Sequence, residues 1–178
     1  YGFTKVKRPA AADRRQRLVV SGIVALPGQM QVSAIGDFRS NLPFGPTAST
    51  PDLNGDGYTG DLPSGVAVGS GCRGLNLDAV NAYRTSRTQT PVTTVSCPGF
   101  ANVDLRFSKF FTFTGSHRLE LIAQLFNVLD RANFNIPNTN VSAGNDRNGK
   151  PLFGQSTSLL PNINAPSRQV EIALRYQF

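Results

Sequence analysis

Asp52-x-Asn54-x-Asp56-Gly57 sets oxygen-bearing side chains at alternate positions of one short stretch, with glycine where the chain must turn sharply. That spacing suits calcium, a hard cation that collects oxygen ligands. Asp52, Asn54 and Asp56 would bind through side chains, Tyr58 through its carbonyl, and Asp61 as a late carboxylate. The twelfth position from Asp52 is Pro63, where a helix–loop–helix calcium site has glutamate, and no flanking helices are evident. Asn-Gly and Asp-Gly pairs are also ordinary turn formers. The stretch therefore reads either as a calcium loop or as a plain turn.

Cys72 and Cys97 are the only cysteines. They form neither a CxxC nor a Cys/His metal pattern, and outside the cytoplasm such a pair oxidises. A structural disulfide is expected. His117 is the single histidine. Nucleophilic catalysis needs a nucleophile, a base and an orienting acid together, and no serine stands in an elbow motif. The chain is not expected to be an enzyme. The remaining charges fall at alternating positions: Asp37, Arg39, Asp104, Arg106, Arg118, Glu120, Glu171 and Arg175.

The elements that carry these charges are strands. From Val170 onward the even positions are apolar (Val170, Ile172, Leu174, Tyr176, Phe178) and the odd ones mostly polar. Side chains alternate faces along a strand, so this stretch has one apolar and one wet side. The same period marks strands at about 16–26, 29–39, 102–113, 117–128 and 168–178. Pro27-Gly28 and Thr114-Gly115-Ser116 supply tight turns. Two long connections, about 41–101 and 129–166, are rich in Gly, Pro, Ser, Thr and Asn, and Asn76 to Arg84 suits a brief helix.

Eleven residues is about the length of a tilted strand that crosses a bilayer, ~9–11. With Phe178 on the periplasmic side, both short turns fall on that side and both long loops outside. Outer-membrane barrels have this asymmetry. Phe110, Phe111, Phe113, Tyr176 and Phe178 then collect at the periplasmic strand ends, where an aromatic girdle belongs. Lys109 shares the apolar parity, close enough to the Gly115 turn to snorkel. A two-layer β-sandwich could bury the same faces, but it leaves the loop lengths unexplained. The chain is expected to be all-β: an antiparallel transmembrane β-barrel segment of about five strands, covering residues 1–178. The charges above then face the lumen, as cross-strand salt pairs first and plug contacts second.

Composition bounds the rest. The chain has 178 residues, 16% of them charged, no Trp, and 17 Gly with 12 Pro. It contains no run of ~18 apolar residues, which excludes a helical span. A mean hydropathy of −0.19 suits a barrel, where only every second residue meets lipid. Net charge is +7, partly from Lys5, Lys7, Arg8, Arg14, Arg15 and Arg17. No zinc, RNP-like or helix-turn-helix pattern accompanies it, so no nucleic-acid partner is expected. The chain opens on Tyr1 without an export signal, which suggests that its start has been cut away.

Phe100 to Lys109 (FANVDLRFSK) and His117 to Phe134 (HRLELIAQLFNVLDRANF) resemble the closing strands of TonB-dependent outer-membrane receptors. Asp13 to Arg17 (DRRQR), leading into Leu18–Pro27, and Asp52 to Gly57 (DLNGDG) are similar to the Oar-like group. That group carries a carboxypeptidase-regulatory-like domain. The likeness covers nearly the whole chain and rests on the order and spacing of these stretches. It implies active uptake of a scarce nutrient, such as a siderophore or oligosaccharide, across the bacterial outer membrane. It also implies the partners: outer-membrane lipid, the remaining barrel strands, a plug, and the TonB complex reached through a missing N-terminal part. The barrel-assembly machinery would recognise the terminal signal at Tyr176 and Phe178. The alternatives are a calcium-stabilised surface β-sandwich adhesin and a passive barrel.

Overall fold

The computed structural model describes residues 13–49, 51–113, 115–160 and 167–178. Lys5, Lys7, Arg8, Thr114 and the end of the second long connection lie outside them. The chain divides into two compact units. One holds all five strands: β1 (Arg17–Leu26), β2 (Met30–Arg39), β3 (Phe100–Thr112), β4 (Arg118–Phe126) and β5 (Gln169–Gln177). These ends fall within two residues of the alternating runs.

The strands form a single sheet in chain order, and every neighbouring pair is antiparallel. It is a meander, not two packed layers. The register sorts the side chains. Val32, Phe107, Ala123 and Ile172 lie in one row across four strands. With Val20, Val24, Leu105, Leu121, Leu125, Val170 and Leu174 they make one face almost wholly apolar. The opposite face carries Ser33, Arg106, Gln124 and Glu171 in its corresponding row. Val19, Ile23, Ile35, Phe100, Phe110, Ile122 and Phe126 are the larger apolar intrusions there.

Two details correct the pattern. Leu26 pairs with Met30, so the first turn holds three residues, Pro27, Gly28 and Gln29. Gly28 (φ 76°) and Gln29 (φ 57°) are both left-handed, so Gln29 belongs to the turn and not to the strand. Phe110 sits opposite Glu120 on the polar face; it does not join Phe111 on the apolar side. There it forms the floor under the Arg118 guanidinium, 4.0 Å from its ring centre. Strand parity decides such cases: adjacent phenylalanines must point opposite ways.

Lys109 lies on the apolar face, as its parity demands. Its ammonium donates to the Gly28 carbonyl in the first turn and stands 5.5 Å over the Phe111 ring. The charge thus reaches the polar backbone at the strand end.

The second unit is built from the long connections, residues 41–98 and 134–158, with residues 13–15. The one helix among its described residues, α1 (Leu77–Thr85), starts where the Asn76 side chain accepts the Ala79 N–H at 3.1 Å, a standard way to satisfy an orphan donor. Phe44, Ala48, Val66, Val80, Val92, Val141 and Phe153 form one buried cluster. The sequence suggested a connection with little apolar content. These residues nevertheless make a core, because contacts between distant segments gather apolar side chains that show no local period.

Candidate functional site

The polar face holds two ion-paired centres. Near the end that carries the long connections, Asp37 accepts from Arg17 at 3.1 Å and from Arg39 two residues along. Arg39 also lies over the Phe100 ring at 4.6 Å. Asp37 and Arg39 thus form one cluster, because residues two apart share a strand face. Asp104 binds the Asn102 side chain and the Asn127 N–H, each at 2.9 Å.

Toward the turns, Glu120 is the buried centre. It accepts from Arg106 at 3.0 Å, from Ser108 at 2.9 Å and from Arg175 at 3.4 Å. Its partners come from the strands on either side of β4. Gln31, Ser33, Arg118 and Gln177 complete a polar cleft of 460 Å³ around it. Three guanidinium groups face one carboxylate, so the cleft is locally cationic. Glu171 lies on the same face, opposite Gln124. The register thus collects all eight alternating charges on one side of the sheet.

At the far end of β5, the Tyr176 hydroxyl meets His117 Nδ1 at 2.7 Å, and the two rings stack. Phe178 lies against Tyr176 with ring centres 6.2 Å apart. These three residues form one aromatic group at the turn end.

In the loop unit, the acidic stretch closes on itself. The Asp52 carboxylate accepts the N–H groups of Asn54, Gly55 and Gly57 at 3.2, 2.6 and 2.7 Å. Asp61 accepts from the Leu53 N–H and the Asn54 amide, and Asp56 from the Tyr58 N–H. Asn54 Oδ1 accepts the Asp56 N–H. The lone pairs proposed for a cation are thus directed at N–H donors. Among the described residues no group of three or more His, Cys, Asp or Glu side chains is placed to hold a metal ion. Here alternate Asx side chains cap successive backbone amides, as they do in a turn. The Gly57 N–H, with those of Gly55, Asn54 and Asp56, holds the Asp52 carboxyl below its ordinary range against a smaller opposing effect of desolvation.

Cys72 and Cys97 are disulfide-bonded, with Cα atoms 5.7 Å apart, within the span a disulfide bridges. Three polar residues escaped the sequence reading. Arg84, fully buried, donates to the carbonyls of Thr90, Val141 and Ala143 at 2.8, 2.7 and 2.9 Å. Its burial pushes the guanidinium down from its usual range. Asn81 clamps Val92 through both its backbone N–H and its carbonyl. Asn133 does the same to Ala101, each contact at 3.0 Å, replacing a strand partner where β3 outruns β4. A lone Arg or Asn carries no periodic signal, so these roles exist only in three dimensions.

A single antiparallel meander with one apolar and one charged face is the wall of a barrel. The sequence family described as an outer membrane beta barrel domain matches residues 4–171. The chain belongs to this family. Comparison with curated proteins and with solved structures gives no match. As an outer membrane beta barrel domain the chain is a component of the bacterial outer membrane. No helix among the described residues is long and apolar enough to cross a membrane; in such a barrel the strands cross instead.

Proposed function

We propose that the chain forms part of the wall of a TonB-dependent receptor of the Oar-like kind, which draws a scarce nutrient across the outer membrane. In this reading the apolar face meets lipid and the charged face lines the interior. The long connections lie outside the cell and Phe178 lies on the periplasmic side. The plug and the TonB-contacting segment belong to parts of the receptor outside these residues, and the chain contributes transport, not catalysis.

The observation that carries the reading is the segregation of connections. Both three-to-five-residue turns lie at one end of the sheet and both long connections at the other, as the pairs Leu26–Met30, Arg39–Phe100, Thr112–Arg118 and Phe126–Gln169 require. Short periplasmic turns and long external loops are the rule for outer-membrane barrels. The likeness of Phe100–Lys109 and His117–Phe134 to receptor closing strands adds the TonB-dependent assignment.

The test is uptake in intact cells that carry the protein. Accumulation of its nutrient should stop when TonB is removed or the inner-membrane proton gradient is collapsed. Accumulation that survives both treatments would leave a passive barrel instead.

A further inference from the structure

The loop unit holds a cleft that none of the charges above lines. Its volume is 280 Å³, and its walls are residues 92–96 on one side and residues 150, 151 and 154–156 on the other. Both walls are pinned. Asn81 clamps Val92, the Ser96 N–H donates to the Gly154 carbonyl at 2.7 Å, and Cys97 is tied to Cys72. Opposite, the Gly154 N–H donates to Asn138, and the Lys150 backbone closes a turn on Asp146. Gly154 has φ 76°, and a Cβ there would meet the Val95 side chain at 2.9 Å. Only glycine lets the two walls approach so closely.

Between the pins, Thr93, Thr94 and Val95 make no backbone hydrogen bond with any described residue. They lie outside every strand and helix of the unit, and Thr93 and Thr94 are exposed. Held at both ends, they line one side of the cleft with N–H and C=O groups that have no backbone partner among the described residues. Such an edge pairs with an incoming extended chain, and main-chain hydrogen bonds then supply affinity. The only charged side chain lining the cleft is Lys150, which is exposed. Among the described residues it enters no ion pair. Thr93, Thr94, Ser96, Gln155 and Ser156 add neutral polar groups.

We propose that this cleft captures the C-terminal end of a short extended peptide. The peptide pairs with the backbone of Thr93–Val95, and its carboxylate is held by the Lys150 ammonium. Three extended residues span about 10 Å, so the paired stretch is short. One cation and no anion select a carboxylate end over an amine end. An open backbone edge selects a chain of amides over a polyol. The proposal deepens the uptake reading by naming a ligand, but peptide binding is measured on purified protein and does not depend on energised transport. Uptake without TonB would sink the receptor and leave the cleft standing, while failure of peptide binding would do the reverse.

The experiment is fluorescence polarisation on protein purified from outer membranes. The probe is an N-terminally labelled tetrapeptide of alternating valine and threonine with a free C-terminal carboxylate. Saturable binding is expected. The C-terminal amide should bind about tenfold more weakly, since a hydrogen bond to a charged group contributes roughly this much. Lys150→Met should weaken the acid to the level of the amide and leave the amide unchanged. N-methylation at alternate amides should abolish binding by removing the paired N–H groups. Equal binding of acid and amide, or indifference to Lys150→Met, would overturn the carboxylate assignment. Full binding of the N-methylated peptide would overturn the strand-edge assignment. No binding of any peptide, or displacement by maltotriose alone, would overturn the proposal as a whole.

Discussion

Ile172 and Leu174 in β5 stand 75% and 69% exposed, whereas Phe153 and Val80 in the loop unit are fully buried. Similar apolar side chains thus have opposite fates in two regions of one chain. The loop unit follows the rule for water: apolar groups cluster, and the buried Arg84 finds carbonyl partners. The sheet follows another rule: its backbone groups pair between strands, its charges gather on one face, and its apolar residues stand exposed on the other. The hydrophobic core of this chain lies in its connections. Burial alone would have ranked the sheet as the defective part.

Each side of that contrast can be broken separately. The largest effect is expected at Phe153, which is fully buried and meets Phe44 edge-on with ring centres 6.2 Å apart. Phe153→Ala should cost the loop unit ~3–5 kcal/mol through lost burial and a cavity. Hydrogen exchange should quicken across 41–98 and 134–158 while heat-modifiable, folded barrel persists. Loss of the folded barrel as well would show that the two regions do not stand independently.

Reduction of the Cys72–Cys97 bond comes next. The residues are 25 apart in sequence, and closing such a loop removes ~3.5 kcal/mol of open-chain entropy in the chain-closure account. Limited proteolysis after reduction should cut within residues 72–97 and spare the strands. Cleavage within β3 or β4 would contradict a purely local role.

On the sheet, Ile172→Arg puts a charge on the apolar face, at a cost of ~2–4 kcal/mol near the bilayer midplane. Glu171→Gln, one residue away on the other face, should cost far less. The yield of membrane-inserted protein in an outer-membrane assembly assay separates them. Equal yields would mean that the apolar face does not meet lipid.

The smallest effect concerns Asp52. Its carboxyl titrates below its ordinary 3.8 because backbone N–H groups favour the charged form. A carboxyl lowered in the folded state stabilises above its unfolded pKa, and that contribution is lost as pH falls through the folded pKa. Acidification below about 4 should therefore loosen the turn at 52–57 first. Amide NMR of Gly55 and Gly57 reads this directly, and shifts that ignore acid would remove Asp52 as the cap.

Much of the sheet was legible because its signal repeats every two residues. Alternation from Val170 to Tyr176 fixes which side chains share a face, and Gly28 and Gly115 mark where the chain reverses. α1 was legible as a brief helix over Asn76 to Arg84. The loop core was not, because Phe44, Val92, Val141 and Phe153 are joined by long-range packing that has no local period. The Asp52 stretch stayed open to two readings for a related reason. Alternating oxygens serve a cation and backbone amides equally well, and only the hydrogen-bond directions tell them apart.

Five antiparallel strands are an odd number, and this fixes the direction of whatever meets the edges of the sheet. β1 and β5 run the same way. A second copy that laid its β1 beside this β5 in a ring would therefore form a parallel seam. Any strand that joins either edge antiparallel must run opposite to both. A closed ring with no parallel seam needs an odd number of added strands in all, which makes the total even, as in single-chain bacterial barrels. Parity thus discriminates between ways of closing this wall before any contact at its edges is known.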